Sequence, residues 1–373
     1  MTPRERVIAA VRHQMPDRTP TDFGGMQFSC CEPGVLRNLR ELLGFSLAED
    51  RDADGVWPDE RIQQYLGVDL RWIPGRPPLA VSRDRFPREY EEEIADRRRP
   101  QAEPGLTEFP LARATGEEIR AIRPKLPEPS VFLPWHQELA RRYRERGFAT
   151  TMSVCAGFFE MGCWQRGYDQ FALDLAADPD LVRHLFDVWL EEKRRIIETL
   201  VRPMAPLIDI FVFGDDLGMQ TGTFMSIAMF REIVKPCIGE FYRMVHEAAP
   251  QSFLLHHSCG SVYSYLDDFI EVGIDILNPI QPNARDMQPE KLKERGRGRL
   301  CFHGGVDLQQ LLPRGTPQQV RAETVRRQQV LGEGGGYICA PAHIVPEDVP
   351  VANILALYGG LSGHPAPRAC ARG

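Results

Sequence analysis

The chain has 373 residues, 43% hydrophobic and 26% charged, a balance that supports a sizeable globular core. Its 45 basic and 52 acidic residues give a net charge of -7, with no basic run of the kind that grips nucleic acid or an anionic membrane. No apolar stretch approaches the roughly 20 residues needed to span a bilayer, and MTPRERVIAAVRHQ lacks the apolar segment of a secretory signal, so a cytoplasmic location is expected.

A helix opens at once, because Thr2 can cap it, Pro3 is preset for its first turn and Glu5 completes a capping box. Val7, Ile8, Val11 and Met15 mark its apolar face. PDRTP at 16–20 ends it, and TDFGGMQFSCCEP reads as a strand followed by a loop. Residues 35–72 read as mainly helical and close in a short strand, GVDLRWI. Residues 80–125 are dense in charge and proline, without a sustained apolar period, and read as solvent-facing excursions that carry no chemistry.

From about residue 130 helices and strands alternate. WHQELARRYRERG is a helix, TMSVCAG a strand, and a long helix starts at Pro179 with Asp178 as its cap. IDIFVFGDD is the next strand, 226–248 a helix, SFLLHH a strand, SVYSYLDDFIEVG a helix and IDILNP a strand. RLCFHGG and GGYICAPAH are the last strands, separated by a helix with the capping box Thr316 to Gln319 and followed by a helix over NILALY. Short, fully apolar strands alternating with helices predict a parallel sheet covered by helices. The number of units, and the lack of a GxGxxG turn, favour a (β/α)8 TIM barrel over an open sheet. The expected architecture is a single barrel over 1–362, with an N-terminal helical extension, surface insertions and a disordered tail at 363–373.

In such a barrel the reactive groups stand at the C-terminal ends of the strands. Asp215 and Asp216 follow FVF, His257 and Cys259 follow FLLH, Asn278 follows DIL, His303 follows LCF, and Cys339 and His343 come from the last strand. His257 and Cys259 offer an imidazole and a thiol two residues apart, which zinc accepts together, and His343 or Cys339 is available as a third ligand. His343 is preferred, since Cys339 lies within the strand itself. Strand alternation points His256 away from His257, toward a helix. It also turns one of Asp215 and Asp216 inward, to orient a ligand or move a proton, with a helix cap or ion pair as the other use of such a group. Glu160 is a further acidic ligand or general acid/base candidate. Arg166 could bind an anion or serve an ion pair. Asn278, His303 and Gly304 are candidates for contact with a cofactor, and the Gly304-Gly305 pair permits close backbone approach. The chain's nine cysteines, an odd number in a protein this large, argue against a disulfide framework.

HHSCGSVYSYLDDFIEVGIDILNPIQ, LKERGRGRLCFHGGVDLQQLLPRGTP and GGGYICAPAHIVPEDVPVANILALY resemble the uroporphyrinogen decarboxylase superfamily, as do GDDLGMQTG and TPRERVIAAVRHQMPDRTP. The resemblance runs from the first helix to about residue 360 and implies a single (β/α)8 barrel. It implies one of two chemistries. The decarboxylase removes acetate carboxylates from a tetrapyrrole without metal, using an aspartate and arginines. Its arginine-rich segment after the first strand is replaced here by FGGMQFSCCEP, which has no arginine. A substrate with many carboxylates needs fixed cations, so the resemblance is closer to the other branch.

That branch consists of cobamide-dependent methyltransferases, which pass a methyl group from a methylated corrinoid protein to a zinc-activated thiol. Their His-x-Cys pattern is similar to His257 and Cys259, and their third ligand, a cysteine, corresponds to the region of Cys339 and His343. Glu160 resembles an acidic ligand near such sites. The resemblance therefore implies a zinc-dependent methyltransferase acting between a small methylated compound or methyl-corrinoid protein and a thiol, folate or corrinoid. A metal-free decarboxylase using Asp215 or Asp216 and His343 is the alternative. The chain has no DxHxxG corrinoid-binding segment, so any corrinoid comes from a partner. A homodimer is expected from the same resemblance.

Overall fold

The computed structural model describes residues 1–45, 59–77, 79–89, 91–92 and 109–359. The expected tail at 363–373 and much of the proline-rich excursion lie outside the described residues.

Seven strands form one parallel sheet in chain order: β1 (Leu70–Ile73), β2 (Ala149–Ala156), β3 (Ile210–Gly214), β4 (Phe253–His257), β5 (Ile276–Asn278), β6 (Cys301–Val306) and β7 (Tyr337–Pro341). Side chains alternate across it. Leu70, Ala149, Ile210, Leu255, Ile276, Cys301 and Ile338, one from each strand, meet in a single buried cluster, so the sheet curls around them. Val7 and Val11 join this cluster from α1 (Pro3–Val11), which covers the end where the strands begin. Phe211, Leu254, Leu277, Phe302 and Cys339, one position along, belong to the larger core between sheet and helices.

The Thr2 capping box forms as expected, and Asp178 and Thr316 cap their helices. The helix expected over 226–248 runs from Ile227 to Ala248 with a wide π turn at Phe230–Val234, just before Pro236. A second π turn, Ile197–Val201, precedes Pro203. Proline has no N–H to donate and its ring crowds the preceding carbonyl, which a wider turn accommodates. Two helices, Phe158–Arg166 and Tyr168–Ala177, occupy a stretch for which no helix was expected.

The strand expected over TDFGG is reduced to one parallel bridge, Thr21 to Cys339. The chain turns away at Gly24, whose φ of 72° lies in the left-handed region, and the Asp22 carboxylate accepts the Gly25 N–H at 2.7 Å to hold that turn. These few residues nonetheless link both edges of the sheet. Asp22 N–H donates to Cys339 O, Cys339 N–H to Pro20 O and Asp69 N–H, just before β1, to Thr21 O, at 2.9–3.0 Å.

Charge pairing gathers where the strands begin. Buried Asp69 accepts from Arg6 at 2.6 Å and Arg18 at 2.8 Å, and Asp209 accepts from Arg4 and Arg144 at 2.9 and 3.0 Å. That end is committed to stability, which leaves the opposite end for chemistry.

Candidate metal centre

Leu255 and His257 of β4 point inward, while Leu254 and His256 point outward. His256 packs among Tyr242 and Phe269, with Nδ1 2.6 Å from the Tyr242 hydroxyl, and burial lowers its pKa to about 3. Its position opposite His257 is the one alternation predicts. After the strand the chain turns at Gly260, φ 78°, so tightly against Gly218 that neither position has room for a Cβ. That turn brings the Cys259 Sγ to 3.5 Å from His257 Nε2.

His343 reaches the same point from the loop after β7. Ligand atoms of His257, Cys259 and His343 all lie within 4.8 Å of one another. The His343 loop is tied to the loop that follows Asp22: Val345 N–H donates to Cys30 O and Glu32 N–H to Val345 O, both at 2.9 Å. Glu347 adds a bond from Gly34 N–H to its carboxylate at 2.9 Å. Cys339 does not join the group, which corrects the expectation that it could replace His343. Ile338 takes the inward position on β7, so Cys339 faces the helices, where burial pushes its thiol up to about 11.

Asn278 and His303 end the inward rows of β5 and β6, directly behind His257. His257 Nδ1 lies 2.6 Å from Asn278 Oδ1, Asn278 Nδ2 lies 2.7 Å from His303 Nδ1, and His303 Nε2 lies 2.9 Å from Asp22 Oδ2. All four side chains are buried. Asn278 and His303 thus bond to each other and to their neighbours, behind His257 rather than among the converging donors. Gly304, φ 100°, is also buried, and its carbonyl accepts the Tyr337 hydroxyl at 2.8 Å. A Cβ there would stand 3.2 Å from Pro341 O, so this glycine admits the neighbouring strand.

The two aspartates separate. Asp215 is buried on the outer side and accepts the N–H groups of Phe158, Phe159 and Glu160 at 2.8–3.1 Å, capping the helix that begins at Phe158. Burial raises its pKa to about 6, against the pull of those three donors. The expectation of a catalytic Asp215 is thereby corrected in favour of the cap. Asp216 is the inward partner, accepting the Cys259 N–H at 2.7 Å and standing 3.8 Å from His257 Nε2. Glu160 lies in the first turn of the capped helix, half-buried, and burial together with Asp215 and Asp216 raises its carboxyl to about 8. Arg166 is buried in an ion pair with Asp174 at 2.6 Å and takes no part in the site.

Three contributors went unanticipated: Asp22, at the far end of the row behind His257, and Phe28 and Gln281 beside the converging donors. Phe28 stacks on His257, with centroids 3.6 Å apart and planes 15° from parallel. Gln281 accepts the Gly260 N–H at 2.9 Å and turns its amide nitrogen toward Cys259 Sγ, 3.6 Å away. The one local hint to Gln281 was an amide three residues beyond Asn278, and Phe28, beside Met26 and Gln27, stood out by nothing in its own loop.

The donor set, one thiol and two imidazoles, suits zinc. Burial lowers the pKa of His257 to about 4 and shifts His343 downward, so both rings are neutral ligands at neutral pH. The Cys259 thiol, pushed up to about 12 by burial and Asp216, needs a cation to become a thiolate.

The sequence model for uroporphyrinogen decarboxylase (URO-D) matches residues 102–359. No curated protein matches the chain. Among solved structures, a methyltransferase from Methanosarcina mazei is similar over 96% of this chain and 98% of its own, at 16% identity and a TM-score of 0.62. A psychrophilic family 10 endo-β-1,4-xylanase covers 59% of this chain and 79% of its own at 11% identity, with a TM-score of 0.39. The xylanase XynB from Paenibacillus barcinonensis covers 60% and 80%, at 11% identity and 0.37. The first likeness concerns the fold, and the two xylanases add nothing to the argument.

Proposed function

The chain belongs to the uroporphyrinogen decarboxylase family, and on that premise we propose that it is a zinc-dependent methyltransferase whose metal ligands are His257, Cys259 and His343. One observation carries the reading: a thiol and two imidazoles from two separate strand ends converge within 4.8 Å. Three protein ligands leave a fourth position for an acceptor. Zinc held there supplies a Lewis acid that lowers the pKa of a coordinated thiol or water.

The chain's own groups do the remaining work. Asn278 holds the His257 ring through Nδ1, and Asp216 and Gln281 hold the Cys259 segment. Asp216, 39% exposed at the mouth, is placed to accept the proton that an acceptor thiol gives up. Glu160 keeps its own proton up to about pH 8 and can donate a hydrogen bond to the incoming group. We read the scaffold as a closed (β/α)8 barrel in which residues 20–22 act as the remaining stave and α1 as the N-terminal extension. The methyl group passes between a small methylated compound or methyl-corrinoid protein and a thiol, folate or corrinoid, with the corrinoid carried by a partner.

The test is metal analysis of anaerobically purified protein, joined to an assay of methyl transfer from methylcobalamin to thiols. About one zinc per chain and chelator-sensitive transfer are expected. Protein that neither contains zinc nor takes it up would refute the proposal.

Glu160 favours a second reading, a metal-free decarboxylase, because a carboxyl that stays protonated near neutrality can protonate a carbanion. That reading predicts activity indifferent to chelation and retained in His257→Ala.

A further inference from the structure

We propose that Asp22, acting through His303 and Asn278, fixes His257 in the tautomer that protonates Nδ1 and leaves Nε2 free for a metal. The consequence for metal binding rests on the zinc reading above, while the tautomer itself does not. Asp22, His303 and Asn278 are positioning residues, since none of them is among the converging donors.

Proton direction along this buried row follows from its far end. Asp22 is fully buried, its Oδ1 accepts the Gly25 N–H at 2.7 Å, and its Oδ2 faces His303 Nε2 at 2.9 Å. A carboxylate only accepts hydrogen bonds, so His303 Nε2 carries the proton. In a neutral imidazole the other nitrogen is then an acceptor, and His303 Nδ1 receives a bond from the Asn278 amide nitrogen, 2.7 Å away. That orientation turns Asn278 Oδ1 toward His257 Nδ1, 2.6 Å away, where only a donor satisfies it. His257 is thereby protonated on Nδ1. On the other side of the ring, Asp216 lies 3.8 Å from Nε2, beyond hydrogen-bond range, and Cys259 Sγ is 3.5 Å away. The free lone pair faces the thiol and His343.

The backbone makes Asp22 a fixed anchor. Its N–H donates to Cys339 O at 2.9 Å and its carbonyl accepts the Tyr358 hydroxyl at 2.6 Å. An anchor of fixed orientation can set the polarity of the groups bonded to it, whereas a mobile one would follow them.

Asp22→Asn tests the idea with almost no change of shape. The Gly25 N–H still demands an acceptor, so the new side chain keeps its oxygen there and turns its amide nitrogen to His303. Every bond in the row then reverses: His303 donates from Nδ1, Asn278 flips, and His257 accepts at Nδ1 and carries its proton on Nε2.

The experiment is nitrogen NMR of the metal-free full-length chain labelled with ¹⁵N-histidine, paired with zinc titration against a chromogenic chelator. In the wild type His257 should show a protonated Nδ1, and in Asp22→Asn a protonated Nε2, with zinc affinity lower by about 10–100-fold. A wild-type ring protonated on Nε2, or an Asp22→Asn ring still protonated on Nδ1, would overturn the proposal. If Asp22→Asn fails to fold, Asn278→Ala cuts the row at its centre, and His257 should lose its preference for Nδ1. An unchanged preference there would equally overturn it. Protein that shows the predicted tautomers but binds no zinc removes the methyltransferase reading and leaves this one standing.

Discussion

Phe28 lies flat against the imidazole of His257, with ring centroids 3.6 Å apart and planes within 15° of parallel. The two rings belong to the N-terminal loop and to β4. The phenyl group covers one face of the ring, while Asn278 fixes its edge.

Removing this contact should loosen the ligand more than the fold. Phe28 is half-buried, and an aromatic pair contributes about 0.5–1.5 kcal/mol beyond its buried area. We expect Phe28→Ala to weaken zinc about 3- to 10-fold, a loss of the same order as that pair energy. Chelator competition measures the affinity, and a thermal melt checks that the fold persists. Unchanged affinity would mean that Asn278 alone suffices to hold the ring.

Cys259, just after β4, and Cys339, within β7, should behave in opposite ways. Cys259→Ser removes the only thiol among the three converging donors and should lower bound zinc from about one per chain to a small fraction, as read by elemental analysis. Cys339→Ser should keep the full complement, because its side chain points to the helices, and should instead lower stability by about 1–3 kcal/mol through a polar group placed in the core. Loss of zinc in Cys339→Ser with stability intact would contradict the assigned orientation.

Asp215 and Asp216 adjoin in sequence and differ in role. Asp215→Ala strips acceptors from three backbone N–H groups and should cost about 2–4 kcal/mol in urea unfolding. Asp216→Asn keeps an oxygen for the Cys259 N–H and should alter stability by under about 1 kcal/mol, while slowing methyl transfer at least about 10-fold. Equal stability losses would contradict the division.

Glu160 supplies a test in pH. Its folded pKa, about 8, lies above the 4.5 of an ordinary glutamate, so the native state holds this proton where the unfolded chain has released it. The group's favourable contribution is full below about pH 4.5 and is lost as pH rises through 8. Glu160→Gln should therefore become progressively more stable than wild type between those values, in metal-free protein, and level off above. A difference on the order of 1–3 kcal/mol is expected, below what the full shift implies, because solvent reaches part of the carboxyl. Urea midpoints of the two proteins from pH 4.5 to 8.5 provide the measurement, and parallel curves would remove Glu160 as a group of raised pKa.

Much of this site is legible in the residues because strands impose a period of two. Once LLHH is read as a strand, His257 and Leu255 share a face, His256 takes the other, and the same rule applied to YICAP sends Cys339 outward beside an inward Ile338. Most alternating elements after residue 130 are legible from their own apolar periods, helped by the caps Asp178 and Thr316. Asp22 is not: it meets His303 through a contact between positions 281 residues apart, which no local pattern records. Phe28 escaped in the same way. The Phe158–Arg166 helix escaped because its N-terminus is capped by Asp215, a residue of a different unit.

Thr21 pairs with Cys339 and Cys31 with Val345, so the stretch that precedes β1 waits for the strand and loop more than 300 residues later. On the ribosome, His257 and Cys259 emerge well before His343, and an ion caught early would find two ligands and open water. Only when the final strand arrives does the early loop gain its partner, bringing Asp22 and the third ligand with it. Convergence of the three donors is in this way tied to the pairing of the early loop with the last strand of the sheet, and a chain without that pairing has little with which to retain a metal.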